Sequence, residues 1–149
     1  MTRVHHSAIC VRDVDESLRF YRDGLGLAVL MDHVFDGDWP TLFDAPSRRL
    51  RSVFLGDADA PDAGIVELVA FDGGVGGAAP SGPPQQGFFL MSFFVDVEQV
   101  TSRLADLGFT DVRRIDQPSP GGTVAMATLL DPDGVLVELV DSKVVPLAR

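Results

Sequence analysis

Val66-Glu67-Leu68-Val69 returns near the end of the chain as Val137-Glu138-Leu139-Val140. Each copy is a short run of β-branched and aliphatic residues around one carboxylate, which reads as a strand. Walking back from the two copies gives the same order of elements. Val4 to Val11 is a short, mostly apolar run and reads as a strand. Asp13 follows, with Glu16 at the capping-box spacing. Val14, Leu18, Tyr21 and Leu25 then recur at helical spacing, and Gly24 and Gly26 stop the helix. Leu27 to Phe35, Arg49 to Leu55 and Gly64 to Phe71 read as three further strands. In the second half Phe88 to Val95 is the first strand, and Asp96 with Gln99 repeats the cap. Val97, Val100, Leu104 and Leu107 form a helical stripe that Gly108 ends. Val112 to Ile115, Thr123 to Leu130 and Val135 to Val140 complete the half, the last two joined by the turn Asp131-Pro132-Asp133-Gly134.

The chain therefore reads as an internal repeat, two tandem βαβββ modules over 3–71 and 87–142. Between them, 72–86 is rich in Gly and Pro, a linker composition that holds no regular element. One module is too small for a robust core. The two are expected to make a single domain, 1–149, of the α+β class. Its expected architecture is a curved eight-stranded mixed sheet with helices outside and a concave face for a small molecule. Gly37 to Ser47, with Trp39-Pro40 and Ala45-Pro46, reads as a loop with one short helical turn.

Bulk properties narrow the function. The 149 residues are 46% hydrophobic, enough to bury a core. The formal net charge of −10 argues against binding nucleic acid, whose phosphates such a surface repels. The one cysteine, Cys10, excludes an intrachain disulfide framework and fits a reducing compartment. Met1 to Cys10 has no apolar signal segment and no run reaches membrane-span length, so a soluble cytoplasmic protein is expected.

Three positions carry candidate chemistry. Glu67 shares a strand face with Ile65 and Val69, and Glu138 sits likewise beside Leu136 and Val140. A carboxylate among apolar neighbours is costly to bury unless it is paired. Either these faces are solvated, or the two glutamates belong to a site. His6 shares its face with Ala8 and Cys10, small residues that leave room for a ligand or ion, and His5 is expected to point the other way. Imidazole and carboxylate together suit a divalent metal. His33 reads as structural. Trp39 and Phe43 either line a pocket or pack at an edge. Arg48, Arg49 and Arg51 are either a solvated face or a clamp for a substrate carboxylate or phosphate. No phosphate-loop ending and no nucleophile elbow is present.

His6-Ser-Ala-Ile-Cys-Val-Arg-Asp13, with Ser17-Leu-Arg-Phe-Tyr21 and Gly24-Leu-Gly-Leu27, resembles the opening of vicinal oxygen chelate proteins. This superfamily includes glyoxalase I, methylmalonyl-CoA epimerase, extradiol dioxygenases and the fosfomycin- and bleomycin-resistance proteins. Asp131-Pro-Asp-Gly134 through Val137-Glu-Leu139 is similar to the family's closing signature. The resemblance implies that His6 and Glu138 are metal ligands and that Glu67 lies in the same site, as a third ligand or as the base. Glu67 and Glu138 are thus the candidate catalytic residues, and His6, Glu67 and Glu138 the candidate metal set. The family's histidine in the first strand of the second half is absent: Leu90, or Phe89 with the gap placed differently, stands there. Gln85 or Gln86 is a candidate substitute. The implied cofactor is a divalent ion (Zn, Ni, Mn, Co or Fe). The implied activity is that of a lyase, isomerase or epimerase acting on a proton next to a carbonyl. A metal-free protein that sequesters a small molecule is the alternative, and a dioxygenase is a weaker third. By the same resemblance, a small-molecule ligand and a homodimer are expected.

Overall fold

The computed structural model describes residues 1–80 and 82–143. The expected domain span 1–149 and linker 72–86 reach positions outside the described residues. The chain divides into two compact units, Met1–Gly77 and Ala78–Arg149. Each contains one four-stranded sheet, so the eight described strands are hydrogen-bonded as two sheets.

In the first unit the elements are β1 (His6–Cys10), α1 (Val14–Leu18), β2 (Ala28–Asp36), α2 (Trp39–Phe43), β3 (Arg49–Gly56) and β4 (Ile65–Phe71). The Asp13 carboxylate starts α1 by accepting from the Asp15 and Glu16 amides at 3.0 and 3.3 Å. This satisfies amides that have no partner inside the helix. The helix runs straight on through a π-helical segment, Arg19–Gly24, in which the Leu25 amide reaches the Phe20 carbonyl at 3.0 Å. Gly26 then takes φ 87°, a conformation open to glycine at no steric cost, and the chain turns into β2. The strand order is β1-β4-β3-β2. β1 and β4 are parallel, and the other pairs are antiparallel. Alternation on β3 and β4 sets Val53, Leu55, Val66 and Leu68 on one face, all buried, and α1 packs against β4. Phe20 and Tyr21 are wholly buried.

The second unit repeats this plan with β5 (Met91–Val95), α3 (Val97–Asp106), β6 (Arg113–Ser119), β7 (Gly122–Leu130) and β8 (Leu136–Asp141), in the order β5-β8-β7-β6. Asp96 caps α3 through the Gln99 amide at 3.1 Å, and Val97, Val100 and Leu104 are its buried stripe. The Asp131 carboxylate accepts from the amides of Asp133 and Val135, both at 2.8 Å, and closes the turn before β8. Two strand boundaries differ from the sequence reading by three residues or more. β5 begins at Met91, not Phe88, because the β8 register would set Phe88 and Phe89 beside the turn. β6 runs on to Ser119 through Pro118, which an edge strand tolerates because one side of it carries no ladder.

Candidate functional site

Register decides what the free face of the first sheet carries. Ala8 pairs with Glu67, Phe54 with Glu67, and Ser52 with both Val69 and His33. Residues paired across a ladder share a face. His6, Glu67, Ser52, Phe54 and His33 therefore stand on one side of the sheet, opposite the helix. Glu67 lies between buried Ile65 and Val69, and its side chain is only 16% exposed. It is not on a solvated face.

Two partners meet that carboxylate. Ser52, itself 2% exposed, donates its hydroxyl to Glu67 Oε2 at 2.5 Å. His6 Nε2 stands 3.5 Å from Glu67 Oε1. The parallel β1–β4 ladder puts imidazole and carboxylate side by side from residues far apart in sequence. The other nitrogen of His6, Nδ1, is 2.7 Å from His5 Nδ1. Phe54 packs against both rings, with centroid distances of 5.4 Å to His6 and 5.9 Å to His5. The expectation that His5 points away is thus corrected. His5 precedes the first paired residue of β1, so strand alternation does not bind it.

The 3.5 Å gap tests the fit of a metal. It exceeds the usual 2.7–3.2 Å of an N–H···O hydrogen bond. Two ligands each about 2.0–2.2 Å from one divalent ion stand roughly 3–3.5 Å apart. His6 and Glu67 therefore fit as two ligands of one ion. Among the described residues, no group of three or more His, Cys, Asp or Glu is gathered in a way that could hold a metal.

Glu138 belongs to the second unit. Ser92 donates its hydroxyl to Glu138 Oε1 at 2.7 Å and pairs with it across the parallel β5–β8 ladder. Ser92 thus occupies the place Ala8 holds opposite Glu67. Counting two residues back, Leu90 rather than Phe89 occupies the place of His6. Gln85 and Gln86 are exposed.

The remaining candidates resolve locally. Arg48 pairs with Asp38 at 3.1 Å, Arg49 with Asp36 and Asp72 at 3.4 and 3.6 Å, and Arg51 with Asp32 at 2.7 Å. These guanidiniums tie neighbouring strands and loops and are already engaged. Hydrogen bonds from Arg51 hold the Asp32 carboxyl below the ordinary range. His33 meets Phe35 edge to face at 4.6 Å. Trp39 and Phe43 stack on each other at 5.7 Å on α2. Sequence reasoning missed Ser52, Ser92 and Phe54. A lone hydroxyl inside an apolar strand was the available signal, but its partner is set by register.

Comparison with known proteins places these features in context. The sequence model of the Glyoxalase/Bleomycin resistance protein/Dioxygenase superfamily matches residues 3–139. The lactoylglutathione lyase-like protein terB of Aspergillus terreus is 37% identical over 92% of this chain and 74% of its own length. The lactoylglutathione lyase of Haemophilus influenzae is 26% identical over 95% of this chain and 93% of its own. Among solved structures, the trypanothione-dependent glyoxalase I of Leishmania major is similar with a TM-score of 0.61 and 28% identity, over 96% of this chain and 88% of that one. A glyoxalase family protein of Bacillus cereus shares the fold with a TM-score of 0.73 at 16% identity, over 95% and 94% of the two chains.

Proposed function

The chain belongs to the Glyoxalase/Bleomycin resistance protein/Dioxygenase superfamily, and from that premise we propose that it is a glyoxalase-like, metal-assisted lyase or isomerase. Its substrate is a small molecule carrying a proton next to a carbonyl. Relatives named lactoylglutathione lyase direct the proposal to adducts of a 2-oxoaldehyde with a small thiol. The observation that carries it is the His6 Nε2–Glu67 Oε1 separation of 3.5 Å on a face where Glu67 is mostly buried.

His6 and Glu67 supply a nitrogen and an oxygen ligand. By its equivalence to Glu67 in the repeat and by the family resemblance, Glu138 is itself proposed as a metal ligand. A bound divalent ion supplies polarisation of the substrate carbonyl and stabilises the negative charge that develops on its oxygen. Ser52 engages Oε2 of Glu67, so Oε1 is the oxygen left to ligate or to take a proton. The buried strand neighbours Ile65 and Val69 keep water from one side of that carboxylate. The proposal includes a homodimer in the cytoplasm. No described helix is long and apolar enough to cross a membrane.

Elemental analysis of protein purified without an affinity tag or chelator tests this. Near-stoichiometric divalent metal is expected, lost in His6→Ala and reduced in Glu67→Gln and Glu138→Gln, together with turnover of a 2-oxoaldehyde–thiol adduct. Absence of metal after soaking with nickel, zinc, manganese and cobalt overturns the mechanism. That result favours a second reading, metal-free small-molecule binding, which the apolar Leu90 at the place of His6 supports. Glu67→Gln and Glu138→Gln then leave ligand affinity unchanged.

A further inference from the structure

His33 is a polar side chain on the site face that the proposed reaction leaves unused. It stands on the edge strand β2 opposite Ser52 and is exposed. Its ring meets Phe35 edge to face at 4.6 Å. Among the described residues, neither of its nitrogens has a hydrogen-bond partner. A neutral imidazole offers one donor and one acceptor, and a bound group that covers it without engaging them leaves them unsatisfied. The path from Glu67 to His33 offers no other free polar group. Phe54 and Met31 lie in the Glu67 row of the ladder, and Ser52 and Val69 in the His33 row. The Ser52 hydroxyl is already committed to Glu67 Oε2. Among the described residues this face of the first sheet carries no lysine or arginine, since Arg49 and Arg51 alternate to the other side.

Register also fixes a length. Two strand spacings of about 4.8 Å and two residues of about 3.4 Å separate Glu67 from His33, about 12 Å between their Cα positions. Side chains that stand off one face of a sheet keep roughly that separation. With about 3 Å of contact at each end, a bridging molecule has its hydrogen-bonding atom about 6 Å from its reacting carbon. We infer that His33 is a specificity-determining residue: it hydrogen-bonds a hydroxyl at the far end of a flat, apolar substituent on the substrate carbonyl. The inference rests on the carbonyl chemistry proposed above and names the class of acyl group. A phenyl ring with a para hydroxyl has the required length, and Phe54 offers it an aromatic neighbour along the way. A neutral hydroxyl rather than a carboxylate suits a face without lysine or arginine in a chain of net charge −10.

Two non-reacting thioethers test this apart from turnover: S-phenacylglutathione and S-(4-hydroxyphenacyl)glutathione, which share the ketone and differ by one hydroxyl. In calorimetric titrations of the wild-type protein the hydroxylated probe should bind about 3- to 10-fold more tightly, the worth of one hydrogen bond. In His33→Phe, which keeps an aromatic ring against Phe35, that preference should vanish. In His33→Gln, which restores a donor and an acceptor, it should return. Glutathione adducts of 4-hydroxyphenylglyoxal and phenylglyoxal should show the same preference in kcat/KM, carried by KM rather than kcat. Equal binding of the two thioethers, binding of neither, or a preference untouched by His33→Phe overturns the inference. A preference that follows His33 while neither adduct turns over keeps His33 in its role and removes the lyase reading instead.

Discussion

The two oxygens of Glu67 have different neighbours. Ser52 holds Oε2 from a strand on one side, and His6 faces Oε1 from a strand on the other. Glu138 accepts a hydroxyl bond from the opposite direction, from Ser92 on the parallel neighbour. The repeat thus reproduces the carboxylate and its hydroxyl partner without reproducing which strand supplies the hydroxyl. Removing the buried hydroxyl in Ser52→Ala leaves part of the Glu67 carboxylate unsatisfied. We expect a loss of about 1–3 kcal/mol of stability by denaturant unfolding, and weaker metal retention by the folded protein. An unchanged unfolding midpoint with unchanged metal content would show that this bond does not hold Glu67. The two serines illustrate the limit of residue-level reading. Glu67 and Glu138 stood out in the sequence as carboxylates in apolar runs, whereas a serine looks the same wherever it stands.

At the scale of elements, the β2–β3 ladder joins the site face to a polar edge. Asp32 on β2 and Arg51 on β3 form a diagonal cross-strand pair, with hydrogen bonds of 2.9 and 2.7 Å. The pair lies on the face opposite His33 and Ser52. Hydrogen bonding to Arg51 first, and its charge as well, holds the Asp32 carboxyl below its ordinary value, while partial burial works the other way. A carboxyl whose folded value is depressed contributes stability that is present above its unfolded value of about 3.9. That contribution is lost as pH falls through the folded value. Unfolding curves between neutral pH and about pH 3 should therefore show a shallower acid loss in Asp32→Asn than in the wild type. Parallel curves would mean that solvent screens the pair completely, as happens at many surface ion pairs. Arg48, Arg49 and Arg51 each meet an aspartate while staying largely exposed, as the solvated-face reading of the basic run expects.

At the scale of the whole molecule, two similar modules carry one excess of negative charge, −10 over 149 residues. Such a surface disfavours phosphate backbones. Size-exclusion chromatography with light scattering should give the mass of two chains, and a monomer across a wide concentration range would remove the dimer from the proposed function. Element order, the repeat, the caps of α1 and α3, the turn before β8 and the three residues around which the site is proposed can all be read from the order of amino acids. These are legible because periodicity, capping and turn chemistry act over a few neighbouring residues. That His6 reaches Glu67, that Ser52 and Ser92 hydrogen-bond the two carboxylates, that His5 turns toward His6, and that Leu90 is the residue at the place of His6 emerge from the pairing of strands. Each of those facts depends on which residue of one strand stands opposite which residue of another. A register is fixed by packing and hydrogen bonding between segments distant in sequence, and a shift of one residue would send every one of these side chains to the other face.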